Sequence, residues 1–149
     1  MNIAYFLRPK NSVAYLYDDC TFRQGLEKMR HHGYTAIPVI NREGKYIGTV
    51  SEGDFLWRLL AGETDAEKGI SLKDTEQWRV RDILQENNYP SARITVSMEE
   101  LLTNAMQQNF IPVVDDLGNF IGIVTRKDIL RYFADQKEEE EPVRLRKIV

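Results

Sequence analysis

The sequence predicts an α/β (α+β) fold made of two copies of one β-α-β-β-α unit. Residues 37–56 (IPVINREGKYIGTVSEGDFL) align without a gap with residues 111–130 (IPVVDDLGNFIGIVTRKDIL), and 9 of 20 positions are identical. The shared positions include both glycines, the proline and the aspartate, a combination that chance similarity of apolar runs rarely reaches. In each copy, short apolar runs of strand length alternate with segments of helical pattern.

The elements follow in order. In the first copy, residues 13–17 predict a strand and 21–31 a helix. The apolar run 37–40 meets a polar turn at Gly44 and a second strand over 46–50, which is the signature of a hairpin. Ser51 then opens a helix reaching about Leu60. The second copy repeats the order with a strand over 93–96, a helix over 98–107, strands over 111–114 and 120–124 around Gly118, and a helix from Thr125 to about Phe133. Ahead of its Ile-Pro strand the second copy is about two residues shorter. The boundaries are therefore a first repeat over 1–62, a joining segment over 63–79, a second repeat over 80–135 opened by a short helix at 80–84, and a charged tail over 136–149. A run of glutamates such as Glu138–Glu141 belongs to a solvated end.

Bulk properties narrow the class. A chain of 149 residues with 42% hydrophobic content is enough for one core or two small ones. The single cysteine, Cys20, has no partner for an internal disulfide, which fits a reducing cytoplasm. The N-terminal apolar run lacks the length and cationic start of a signal peptide, and no segment reaches membrane-spanning length. A formal net charge of −3 gives no general attraction for nucleic acid, so an anionic ligand needs local positive groups.

Few residues carry chemistry. Thr125-x-x-Asp128 and Ser51-x-x-Asp54 follow strands and open helices, where a hydroxyl caps the helix and free N–H groups attract an anion. Arg126 adds a fork of donors suited to phosphate oxygens, whereas Glu52 and Gly53 stand at the matching positions of the first copy. Lys10, just before the first strand, is a further cation. His31 and His32 are adjacent on a helix, point to different sides, and make a poor metal pair. Cys20 precedes a helix, a place that favours mild thiol activation, but no acid or histidine set accompanies it. Asp115 and Asp116 read as turn residues.

The repeat with Gly-Thr-Val-Ser-Glu-Gly-Asp (48–54) and Gly-Ile-Val-Thr-Arg-Lys-Asp (122–128), preceded by Gly-Tyr-Thr-Ala-Ile-Pro-Val (33–39) and Asn-Phe-Ile-Pro-Val-Val-Asp-Asp (109–116), resembles the CBS domain. The tandem pair resembles a CBS pair, or Bateman module, from about Phe6 to Phe133. With no room for an attached enzyme or transporter, it is similar to stand-alone CBS-pair proteins of bacterial type. The resemblance implies repeats packed about a pseudo-twofold axis with two clefts between them. It implies a non-enzymatic, cytoplasmic regulatory module with an adenine nucleotide (AMP, ADP or ATP) as regulatory ligand and no cofactor or metal. The alternatives are a cyclic di-AMP receptor that signals through a protein partner, and a ligand-free interaction scaffold.

The same resemblance assigns residues. The first cleft takes its base-binding wall from Val13, Ala14, Tyr34, Thr35, Ala36, Ile37 and Pro38. Thr125, Arg126 and Asp128 supply the phosphate and ribose contacts, with Asp128 accepting from free ribose hydroxyls. The second, weaker cleft combines Ser51 and Asp54 with Arg93, Ile94, Phe110, Ile111 and Pro112, and Phe110 is bulky enough to fill it. The apolar residues Phe55, Leu56, Leu59, Leu60, Ile129, Leu130 and Phe133 on the closing helices are expected to be exposed and to join a symmetric homodimer.

Overall fold

The computed structural model describes residues 2–61, 72–85 and 89–140. The expectations for the joining segment over 63–71 and for the end of the tail over 141–149 lie outside the described residues. A 3-10 turn over Ile3–Phe6 leads into β1 (Arg8–Pro9), a second 3-10 turn at Lys10–Ser12 and β2 (Leu16–Tyr17). Then come α1 (Phe22–His32), β3 (Ala36–Ile40), β4 (Tyr46–Ser51), α2 (Glu52–Ala61) and the short α3 (Leu72–Thr75). A 3-10 turn at Val80–Ile83 stands where the short lead-in helix was expected. It precedes β5 (Ala92–Arg93), α4 (Met98–Gln107), β6 (Phe110–Val114), β7 (Phe120–Thr125) and α5 (Arg126–Glu140).

Local chemistry explains the boundaries. Thr21 caps α1 in a capping box, its hydroxyl accepting from Gln24 N–H (3.1 Å) while the Gln24 side chain accepts from Thr21 N–H (2.9 Å). Gly33 ends α1 in the left-handed conformation (φ 69°), and Tyr34 N–H then reaches back to the Met29 carbonyl. Helix α4 is capped by Ser97 but ends through an extended Gln108. The two-residue difference between the copies thus sits at these helix ends.

Several expected limits shift. The opening strand of the first copy is confined to Leu16–Tyr17, because only those residues pair with β3, in parallel with Val39 and Ile40. The matching strand of the second copy is Ala92–Arg93, not 93–96: Val96 N–H turns back to the Arg93 carbonyl (2.9 Å) and ends it. Helix α5 continues past Phe133 to Glu140, because the added residues are mostly good helix formers.

The strands form two small sheets, β2-β3-β4 and β1-β7-β6-β5. Strand β1, from the start of the chain, is antiparallel to β7 of the second copy, with Arg8 opposite Ile123 and Pro9 opposite Gly122. The approach requires glycine: a Cβ at Gly122 would lie 2.1 Å from the Arg8 carbonyl oxygen. The two hairpin turns also meet. Tyr46 N–H donates to the Gly118 carbonyl (3.2 Å) and Phe120 N–H to the Gly44 carbonyl (2.9 Å). These are the same bond written for each copy in turn, and they mark the pseudo-twofold axis.

Each sheet carries its own core. Phe22, Ile37, Val39, Val50, Phe55 and Val80 fill the first, and Ile3, Leu101, Ile111, Val113, Val124 and Ile129 the second. Phe55 and Ile129, expected on the exposed face of the closing helices, are therefore buried, and Leu59 packs partly against the first core. Leu56, Leu60, Leu130 and Phe133 are exposed, as is Trp57. Among the described residues no helix is long and apolar enough to cross a membrane.

Candidate functional site: a cleft between the two repeats

The equivalent strand-to-helix turns differ at their aspartates. At the end of β4, Ser51 and Asp54 close a reciprocal capping box. The Asp54 carboxylate accepts from Ser51 N–H (2.8 Å), and the Ser51 hydroxyl accepts from Asp54 N–H (3.3 Å). Asp54 is only 6% exposed and is consumed by this cap. At the end of β7, the Thr125 hydroxyl likewise accepts from Asp128 N–H (3.1 Å). The Asp128 carboxylate instead meets Arg8: Nε donates to Oδ2 (2.6 Å) and Nη2 to Oδ1 (2.8 Å). Hydrogen bonds from Arg8 hold the Asp128 carboxyl below its ordinary range, against the opposing effect of burial.

Arg8 stands at the edge of a cavity of about 190 Å³ between the repeats. Val13 and Ala14, just ahead of β2, and Tyr34, Ala36 and Pro38, leading into and along β3, form one wall; Asn109, Phe110, Ile123 and Thr125 complete it from the second repeat. Of the residues assigned to this cleft from the sequence, the structure brings six together: Val13, Ala14, Tyr34, Ala36, Pro38 and Thr125. Thr35 and Ile37 are not among the lining residues. The Thr35 carbonyl accepts from Glu52 N–H (3.0 Å), and Ile37 is fully buried in the first core. Arg126 is not among the lining residues either, although it is bonded to Asn109, which is one of them. Its Nε donates to the Ala105 carbonyl (2.6 Å) and its Nη1 to the Asn109 side-chain oxygen (3.0 Å), tying α5 to the end of α4. Asp128 borders an adjoining cavity between the N-terminal 3-10 turn and α5, and Arg8 borders both.

The second cleft is furnished differently. Strand register makes Pro90 the counterpart of Ala14 and Tyr89 that of Val13, while Phe110 stands opposite Thr125 as Ala36 stands opposite Ser51. The rings of Tyr89 and Phe110 stack at 5.3 Å. The Tyr46 hydroxyl donates to the Tyr89 carbonyl (2.6 Å) and contacts the Thr49 hydroxyl at 2.8 Å, and the Gln108 side chain donates to the Pro90 and Phe110 carbonyls. Large side chains therefore occupy the positions that small ones hold in the first cleft. Of the residues assigned to this cleft from sequence, Ile111 and Pro112 are buried, Ile94 packs on the second core, Arg93 is exposed, and Phe110 lines the first cleft.

Sequence reading missed Arg8, Ile123, Tyr89 and Pro90. Arg8 carries no local signal, since its position depends on β1 crossing to the other repeat. Tyr89 and Pro90 carry no signal because the expected strand over 93–96 begins after them, whereas β5 is Ala92–Arg93. Cys20 also departs from expectation: burial pushes its thiol up to about 11, so it is not activated. His32 stacks on Tyr34 (5.3 Å), beside the cleft and apart from any metal set among the described residues. Lys10 lies over the Tyr15 ring at 5.3 Å, in a neighbouring groove.

Comparison with known proteins places this geometry in a family. The model of the CBS domain matches residues 7–61 and again 80–135. The chain belongs to the CBS-domain family and carries two copies of the domain. It is 25% identical over 140 residues to the uncharacterized protein MJ1426 of Methanocaldococcus jannaschii, covering 77% of this chain and 82% of that one. It spans only 14–55% of the other curated relatives it matches. Among solved structures it is similar to CbpB in complex with c-di-AMP, at a TM-score of 0.83 and 22% identity over 93% of this chain and 88% of that one. It is also similar to CBSX2 in complex with AMP, at a TM-score of 0.70 and 24% identity over 91% and 98% of the two chains. At these identities the likeness establishes the fold, a CBS pair.

Proposed function

We propose that this CBS pair is a regulatory module that takes an adenine nucleotide in the cleft between its repeats. The observation that carries the reading is the asymmetry of the clefts. One is lined by small and flat apolar surfaces from Val13, Ala14, Ala36 and Pro38, with the Tyr34 ring and a cationic edge at Arg8. At the matching positions of the other repeat stand the larger Tyr89 and Phe110, whose rings stack, and Phe110 also borders the open cleft. An apolar slot with a few polar groups at one end suits a flat base joined to an anionic tail. Solved neighbours bound to AMP and to c-di-AMP support the class of ligand.

The ligand would touch both repeats at once and so bias how they sit against each other, which is how a binding module without a catalytic step reports to a partner. A protein partner and a homodimer through α2 and α5 belong to this reading. A second reading, cyclic di-AMP, is favoured by one observation. Both Asp128 oxygens are engaged by Arg8, so Asp128 is a less available acceptor for the free ribose hydroxyls that distinguish a mononucleotide.

A thermal-shift series with adenosine, AMP, ADP, ATP and cyclic di-AMP tests the proposal. Ligands that bind the folded state alone raise the melting temperature. A rise with at least one nucleotide is expected; none across the series contradicts it.

A further inference from the structure

Arg8 is the charged residue that lines the cleft, where Arg126 was expected to serve. The Arg126 guanidinium is held by the Ala105 carbonyl and by Asn109, at the end of α4. Arg8 is placed by a part of the chain outside the wall-forming elements. Strand β1 carries it across to β7, and Gly122 permits that approach. Its guanidinium has five N–H donors, and the two bonds to Asp128 leave donors to spare. The side chain is 48% exposed against 21% for Asp128, so Arg8 is accessible from the cleft edge.

We propose that Arg8 is the residue that selects a phosphorylated ligand in the cleft, and that Asp128 positions it by fixing the guanidinium fork at the cleft edge. The inference rests on the adenine-nucleotide reading and adds the source of its anion preference. A carboxylate that grips two N–H groups restricts the Arg8 rotamer before the ligand arrives, so less ordering remains to be done on binding. Asp128 then acts through Arg8 and not as an acceptor for ribose. The two roles differ in what the loss of Asp128 does to adenosine, which has the ribose but no phosphate.

Calorimetric titration with adenosine and with AMP, on wild type, Arg8→Gln, Arg8→Lys, Asp128→Asn and Arg126→Gln, tests it. Unliganded melting curves verify that each variant is folded. Wild type is expected to bind AMP about tenfold or more tightly than adenosine, as a charge-assisted contact to phosphate requires. Arg8→Gln is expected to erase that ratio by weakening AMP far more than adenosine, and Arg8→Lys to retain part of it. Asp128→Asn is expected to shrink the ratio without weakening adenosine. An intact ratio in folded Arg8→Gln overturns the proposal, as does loss of the ratio in Arg126→Gln alone. Equal binding of adenosine and AMP by wild type also overturns it while leaving the adenine reading standing. Binding of neither overturns this proposal, and the adenine-nucleotide reading falls with it when ADP, ATP and cyclic di-AMP also fail to raise the melting temperature.

Discussion

Asp54 and Asp128 follow the same sequence pattern, and each opens a helix after a strand. One carboxylate turns back into its own cap, and the other reaches a residue 120 positions away. The folded Asp128 carboxyl titrates below its unfolded value because of Arg8. Its contribution to stability is therefore fully present above the ordinary carboxylate range, about pH 4, and is lost as pH falls through the lower folded value. The pair is partly exposed, so solvent screening limits that contribution to about 1 kcal/mol or less. Wild type should melt slightly above Asp128→Asn near neutral pH, and the gap should shrink as pH falls below the ordinary carboxylate range, about pH 4. A gap independent of pH would assign the difference to something other than this ion pair. At this scale the sequence was legible where a residue's role is local: Ala14, Ala36 and Pro38 sit in the cleft because strand and turn put them there. It was not legible for Arg8 or Arg126, whose partners lie far along the chain and are chosen by tertiary packing.

The elements show the same division. Hairpins, caps and helices were readable because glycine turns, a Thr or Ser cap and apolar periodicity are written within a few residues. The lengths of β2 and β5 were not, since a strand ends where its neighbour stops pairing. Strand β1 was unreadable as a strand: two residues, one of them proline, show no period. Its dependence on Gly122 gives a direct prediction. Gly122→Ala sets a Cβ 2.1 Å from the Arg8 carbonyl oxygen, so β1 must move. Destabilisation of about 1–3 kcal/mol is expected from such overpacking, measured by denaturant unfolding. Under the Arg8 proposal, AMP should lose more affinity than adenosine in the same variant. Wild-type stability in Gly122→Ala would mean that β1 is not held against β7 as described. Gly118→Ala makes a useful comparison, because φ is 83° there but the nearest atom to an added Cβ is a flexible lysine carbon at 4.0 Å. It reports backbone strain without a clash.

Across the whole molecule, the pseudo-twofold axis at the hairpin turns relates two sheets whose clefts the side chains have made unequal. The helices that open beside those clefts, α2 and α5, bury Phe55 and Ile129 but leave Leu56 and Leu130 57% and 62% exposed. The adjacent Trp57 is 68% exposed. Apolar surface of this kind, on helices related by the axis, supports a symmetric self-association. Sedimentation should show a dimer for wild type and a monomer for the Leu56→Glu, Leu130→Glu double variant. A monomeric wild type at high concentration would remove this part of the reading. Titration calorimetry with AMP on wild type and on Ala36→Phe asks whether one cleft of the pair takes an adenine nucleotide. The substitution copies Phe110 from the second repeat into the open cleft, so it should be tolerated by the fold while filling the slot. One AMP per chain is expected for wild type, and loss of binding by about tenfold or more in folded Ala36→Phe, since blocked apolar contact and a mispositioned phosphate each weaken the complex. Two equivalents per chain, or undiminished AMP affinity in Ala36→Phe, would contradict it.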